Sequence, residues 1–319
     1  MKGISADKRQ VKNSGRRSFS ARLKKDWRRN KWLYAIIIPV LAYYIIFCYL
    51  PMGGIVIAFK NYKPAFGIWG SDWVGFKHFT SFFGSAFFNR VIRNTLLISF
   101  YSLLWGFPAP IILALMLSEI RYGRLRRVTQ TISYFPHFLS TVVVCGMLLQ
   151  FSLSDGLFNQ ILGLFGVQAK SWLQVPDAFR TIYVWSGIWQ SVGWNSIIYI
   201  AAIAGVDMQL YEAASLDGAG RWQRIWHVTL PTIKPTIVLL LIMQVGKMMS
   251  VGYEKIIQLY NPSIYETADV ISTYVYRKGL LDSDWSYSTA VNLFNSVINF
   301  MLVIIANQIS KKVSETSLF

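Results

Sequence analysis

Residues 212–235 read EAASLDGAGRWQRIWHVTLPTIKP and form a polar break between two strongly apolar stretches. Just upstream, Asp207 has the side chain of a helix N-cap, and residues 208–216, MQLYEAASL, are good helix formers. Asp217-Gly218 is a natural stop, because glycine accepts the left-handed conformation a helix end often requires. A second short helix is expected from Arg221 towards His227. Pro231 and Pro235 are expected to break it into a rigid elbow, since proline cannot continue the hydrogen-bond ladder and restricts the residue before it. Ala213 and Ala214 let another surface approach closely, and Glu212 offers a fixed negative charge. On these residues alone, a helix lying on lipid headgroups explains the segment equally well.

The surroundings of this break are those of a membrane protein. Of the 319 residues, 54% are hydrophobic and 15% charged, against roughly a quarter charged in a soluble domain. Crossing a bilayer takes about 20 apolar residues. Six stretches qualify: 32–59, 95–118, 131–153, 181–206, 236–260 and 287–309. The first holds no charged residue, whereas the fifth carries Lys247, Glu254 and Lys255. Pro39, Pro108, Pro110 and Pro136 lie in or at the mouths of spans, where proline kinks a helix rather than ending it. The predicted fold is all-α and polytopic, with six transmembrane helices. It divides into a basic segment 1–31, a membrane domain 32–309 containing the loop 207–235, and a tail 310–319. The long basic leader and the missing small-residue cleavage site argue against a secretory signal. Cys48 and Cys145 both fall in apolar runs and read as small buried hydrophobes.

A net charge of +17 suggests nucleic acid until its placement is considered. With the N-terminus inside, segments 1–31, 119–130, 207–235 and 310–319 hold 12, 4, 3 and 2 Lys/Arg, against 5, 2 and 2 in 60–94, 154–180 and 261–286. That bias puts both termini and the 207–235 loop in the cytoplasm. Lys60, Lys63, Lys77, Arg90 and Arg93 of the 60–94 loop dissent. The leader stretch 22–32, RLKKDWRRNKW, reads as an anchor on anionic lipid headgroups, so no nucleic-acid partner is needed to explain the charge.

The spacing Glu212-Ala213-Ala214, three residues, Gly218, nine residues, Val228, one residue, Leu230-Pro231 resembles the EAA loop of the membrane subunits of binding-protein-dependent ABC importers. Val228 stands where that family usually has isoleucine. WVGFKHFTSFF (73–83) and GLFNQILGLFG (156–166) are similar to external segments of sugar permeases, and LYNPSIYETADVISTYVYRKGL (259–280) resembles the LplB-type group. The resemblance implies a MetI-like transmembrane domain in a bacterial plasma membrane. It implies a second related permease, a cytoplasmic ABC ATPase dimer and an extracellular solute-binding lipoprotein as partners. The implied substrate is a sugar or oligosaccharide, with uronate-containing chains among the candidates. In such importers the EAA segment is a coupling helix seated in a cleft of the ATPase. Carried onto this sequence, Glu212 pairs with a basic group there, Ala213 and Ala214 dock, Asp217 and Gly218 turn the chain, and Leu230-Pro231 stiffens the link to the fifth span.

Candidates for the substrate path are Trp189, Asn195 and Tyr199 of the fourth span, and Lys247 and Glu254 of the fifth. Trp185 and Trp189 are four residues apart and share a helix face, although tryptophan near a span end commonly anchors at the lipid interface. Gln190 and Trp194 belong to the same polar and aromatic run. Asn195 is deeper. Lys247 and Glu254, seven apart, would share a face about two turns apart on one helix. Ionisable groups inside a span usually face a cavity or a partner. Lys247 is therefore placed either against an acidic group of a uronate-type substrate or in a structural pairing with neighbouring residues or the second permease. The competing function is a self-sufficient channel or secondary transporter driven through Lys247 and Glu254. No catalytic or metal constellation emerges, because His78, His137 and His227 are far apart. In GSDWVGFK (70–77), Phe76 stands where a phosphate loop requires lysine. The chain is expected to be non-catalytic, without cofactor or metal.

Overall fold

The computed structural model describes residue 27 and residues 29–314. The basic leader, apart from its last residues, and positions 315–319 of the tail lie outside the described residues. The chain divides into compact units of residues 1–56 and 57–319. In the first, helix α1 (Lys31–Tyr43) runs into a wide π turn, Tyr44–Tyr49, and a last helical turn, Leu50–Met52. Pro39 sits inside α1 without ending it. An apolar surface on all sides suits a helix surrounded by lipid. Cys48, read as buried, is exposed on this helix, whereas Cys145 of the second unit is buried.

The second unit opens with a two-residue antiparallel ladder, β1 (Lys60–Asn61) against β2 (Asp72–Trp73), a minor addition to an otherwise helical chain. Helix α2 (Lys77–Phe83) leads to α3 (Phe88–Gly106) and α4 (Pro108–Ser118). The last two run on as one span. Phe107 N–H still donates to Leu103 O at 3.1 Å, and Pro108 occupies a first-turn position, where proline is well tolerated.

The third predicted span, 131–153, is not one helix. Helix α5 (Gly123–Tyr134) passes through a tight turn at Phe135–Phe138, and the chain bends by 95° into α6 (Thr141–Phe151). Pro136 lies in the turn, and Ser140 starts the new helix by accepting from Val143 N–H at 3.3 Å. After α7 (Leu157–Gly163), the 29-residue α8 (Pro176–Ala204) is about 44 Å long at 1.5 Å per residue, enough to cross a bilayer. It meets α9 (Met208–Leu216) at 70°.

The expected elbow at Pro231 and Pro235 does not form. Helix α10 (Arg221–Arg224), a π turn at Ile225–Thr229 and α11 (Leu230–Val245) make one unbroken 25-residue helix, Arg221–Val245. Leu230 N–H reaches back five residues to Ile225 O, and this wider turn lets Pro231 enter where a new helical ladder begins. Pro235 is carried inside α11. The fifth span thus starts and ends earlier than the predicted 236–260. After Val245 the chain leaves the helix, and Lys247 lies in the break. Glu254 belongs to the separate short helix α12 (Tyr253–Leu259). The inference that Lys247 and Glu254 share one helix face is therefore wrong: the ladder does not run between them. Lys255, the third charge in this stretch, is buried, donates to Tyr183 O at 3.3 Å and lies over the Tyr183 ring.

Helices α13 (Ile271–Tyr276) and α14 (Trp285–Ser314) complete the unit. Among the described residues, four helices are long and apolar enough to cross a membrane, and up to six spans result if each bent pair counts as one. Two apolar cores hold the bundle. One joins Ile98, Val144, Leu148 and Phe179 to Ile256 and Val270. The other gathers Phe82 and Val91 with Ile271, Tyr274, Tyr287 and Val291.

Candidate functional site

The EAA-like loop lies at the end of the bundle where α4 and α8 finish. Asp207 Oδ1 accepts from Gln209 N–H at 2.9 Å, so it caps α9 as the sequence suggests. At the other end Gly218 takes φ +79°. Gly218 N–H donates to Ser215 O (3.1 Å) and Ala219 N–H to Ala214 O (2.9 Å), the paired bonds of a Schellman stop. Two side-chain bonds tie α9 to the helix that follows. The Tyr211 and Thr229 hydroxyls are 2.9 Å apart, and Arg224 Nη1 donates to Ser215 Oγ at 3.1 Å. Between these ties α9 exposes Glu212, Ala213 and Asp217, with Leu216 at 90% exposure. Ala214 and Leu230 are half-buried, and Pro231 is exposed. The result is a short helix with fixed ends, a bare apolar tip and a bonded connection to a membrane-length helix.

The substrate-path candidates separate into two places. Asn195, Tyr199 and Lys247 line one cavity of about 200 Å³, together with Pro110 and Gln244. Gln244 and Lys247 also line a neighbouring cavity of about 140 Å³ with Ser99, Ser102, Tyr183 and Ser250. These walls form a polar groove bounded by α3, α4, α8, α11 and the break after α11. Lys247 is exposed there and makes no ion pair among the described residues. Trp189 is elsewhere. With Trp185 it lines an apolar cleft of about 580 Å³ facing Met147, Phe151 and Trp172. Glu254 is exposed and lines neither polar cavity. Gln190 and Trp194 brace the bend of the third span: Gln190 Nε2 donates to Leu139 O at 3.1 Å, and Trp194 stacks on His137 at 4.5 Å.

At the opposite end of the bundle the structure holds a centre that sequence reasoning missed. Asp269 is fully buried. Its carboxylate accepts from Arg277 Nη1 (2.8 Å) and Nη2 (2.7 Å), Arg90 Nη2 (3.0 Å) and Thr273 Oγ1 (2.9 Å). Burial alone pulls the Arg277 guanidinium down, but the bonds and charge of Asp269 and Tyr260 outweigh it and hold the group above the ordinary arginine range. Asn94 extends the network. Its Nδ2 donates to Glu266 O (2.8 Å) and Asp269 O (3.0 Å), and its Oδ1 accepts from Arg180 Nη2 at 2.8 Å. Three regions remote in sequence, 90–94, 180 and 266–277, are thereby pinned together where α3 and α8 begin.

Comparison with known proteins shows the family. The family model for the binding-protein-dependent transport system inner membrane component matches residues 106–315. Protein LplB of Bacillus subtilis (strain 168) is 46% identical over 95% of this chain and 94% of its own length. The polygalacturonan/rhamnogalacturonan transport system permease protein YteP of the same organism is 42% identical over 91% of each. Crystal structures of a bacterial ABC transporter for the acidic polysaccharide alginate contain a chain 45% identical to this one. One has a TM-score of 0.85 over 92% of this chain and 99% of its own, and the other, in complex with alginate pentasaccharide-bound periplasmic protein, 0.85 over 93% and 100%. The matched residues 106–315 contain the α9 loop, Asn195, Lys247 and Asp269, and the chain belongs to the binding-protein-dependent inner membrane components, the non-catalytic permease subunits of ABC importers.

Proposed function

We propose that this permease passes acidic oligosaccharides, chains containing uronate residues, across the bacterial plasma membrane. The observation that carries this is Lys247: a cation without an ion pair among the described residues, on the wall of a groove whose other polar side chains are Asn195, Tyr199, Gln244, Tyr183 and serines, set among apolar ones such as Phe107, Ile198 and Met243. A carboxylated sugar matches that wall in charge, and the hydroxyl and amide groups match its ring hydroxyls. The relatives support the reading, since polygalacturonan and alginate are both polyuronates.

In this reading both termini and α9 face the cytoplasm, which the Lys/Arg distribution supports. An extracellular solute-binding lipoprotein delivers the sugar to the Asp269 end. A second, related permease completes the pathway. A cytoplasmic ATPase dimer receives α9, with Glu212, Ala213, Ala214 and Leu216 as the seated surface and Asp217, Gly218, Leu230 and Pro231 as the turn and link. Closure of the ATPase pair moves α9, and the spans rock to expose the groove alternately to either side. A self-sufficient transporter using Lys247 and Glu254 is disfavoured, because Lys247 lies in the break after α11 while Glu254 is on α12 and lines neither cavity of the groove.

The test is uptake by the complete importer carrying Lys247→Met, with trigalacturonate and its carboxyl-reduced counterpart as substrates. Selective loss of the charged sugar is expected. Equal loss of both would remove the charge-recognition role.

A further inference from the structure

A third polar cavity, of about 260 Å³, lies beside the first turns of α8 and is lined by Tyr101, Trp105, Asp177, Arg180, Thr181 and Trp185 among others. None of these residues lines the Lys247 groove. The Trp105 and Trp185 rings lie 29° from parallel with centroids 6.2 Å apart, and both side chains are about half exposed. They form an apolar wall of the kind that takes the C–H face of a pyranose. Arg180 stands on the same helix one turn before Val184 and Trp185 and is in no salt bridge among the described residues. A guanidinium has five N–H donors, and the side-chain bond described for this one is to Asn94 Oδ1. Asn94 is itself held by its two bonds to the 266–269 backbone, so it fixes where Arg180 points.

We infer that Trp105, Trp185 and Arg180 form a uronate subsite at the mouth of the pathway, ahead of the Lys247 groove. A sugar ring rests on the indoles, its carboxylate takes the planar fork of Arg180, and Asp177, Thr181 and Tyr101 meet the ring hydroxyls. The volume, below the roughly 300–1,000 Å³ of a whole-ligand pocket, fits one residue of a longer chain. The site lies at the end of α8 remote from α9, where a delivered oligosaccharide arrives first. The inference rests on the acidic-oligosaccharide reading above and adds to it a second, separate point of charge selection.

The experiment measures KM and kcat for trigalacturonate and carboxyl-reduced trigalacturonate in proteoliposomes of the complete importer. Arg180→Gln is expected to raise KM for the acidic sugar about tenfold or more, with kcat and the values for the reduced sugar within twofold of wild type. Arg180→Lys, which keeps a donor for Asn94, is expected to recover part of the preference. Trp185→Leu is expected to raise KM for both sugars. An unchanged acidic-to-reduced ratio in Arg180→Gln, or an unchanged KM in Trp185→Leu, overturns the subsite while wild-type import leaves the substrate reading standing. If Arg180→Gln fails to assemble with its partners, the ratio in Arg180→Lys and the KM in Trp185→Leu decide in the same way. Wild-type import of neither sugar overturns both.

Discussion

Replacing Asp269 by asparagine keeps the shape of the side chain and removes its charge. The carboxylate accepts four side-chain hydrogen bonds of 2.7–3.0 Å and is completely enclosed. Asparagine retains one acceptor oxygen and turns an amide donor towards a guanidinium, leaving Arg90 and Arg277 facing each other without a counter-charge. The four bonds share one group, so their energies do not add. Breaking a buried pair by removing one partner costs about 3–5 kcal/mol. At about 2 °C per kcal/mol for a unit of this size, the apparent Tm of the purified complex falls by at least about 6 °C. Fluorescence-detected size-exclusion after a heat ramp reads this directly. The single arginine variants should rank below it. Arg277→Met loses a two-pronged contact from a side chain 21% exposed. Arg90→Met loses one bond of 3.0 Å from a side chain 31% exposed, where solvent already screens the pair. A drop of less than about 2 °C for Asp269→Asn, or a larger effect from Arg90→Met, would show that the centre does not hold the helix ends together.

Gly193→Ala should prevent assembly, because its added Cβ would sit within 3.0 Å of the Ser133 and Tyr134 backbone, atoms that cannot swing away; overpacking of this kind costs roughly 1–3 kcal/mol or more, and normal yield of the complex would contradict the close α5–α8 approach. At Gly218 the space is open and only the backbone conformation is special, so Gly218→Asn should transport nearly normally, whereas Gly218→Val carries a left-handed penalty of about 1–2 kcal/mol and should lower ATP-driven uptake without affecting membrane insertion. Glu212→Lys alters an exposed charge on α9 and should uncouple uptake from ATP hydrolysis at unchanged expression; full uptake would refute the docking role.

Local signals were read correctly where the responsible atoms are neighbours in sequence. The Asp207 cap and the Gly218 stop need only the residues of α9 itself. Pro231 and Pro235 misled because a single wide turn at Ile225–Thr229 absorbs the first of them, and nothing in the residue types announces that turn. The bend in the third span did leave a trace: Pro136 followed by the capping residue Ser140 marks a helix end and a new start. The Asp269 centre left none. Arg90 and Asp269 are separated by 179 positions, so pairing them requires the tertiary fold. The same holds for the polar groove, whose Asn195 and Lys247 come from α8 and from the chain after α11. Trp189 resembled its neighbours in composition, but it lines an apolar cleft and neither cavity of the Lys247 groove.

The central claim is that the work done by this bundle enters through α9. The direct measurement is accumulation of labelled trigalacturonate inside liposomes that contain either the complete importer or this chain alone, with ATP supplied on the α9 side. Concentration above the external level is expected only for the complete importer and only with ATP. Uphill accumulation by the chain alone would contradict the account.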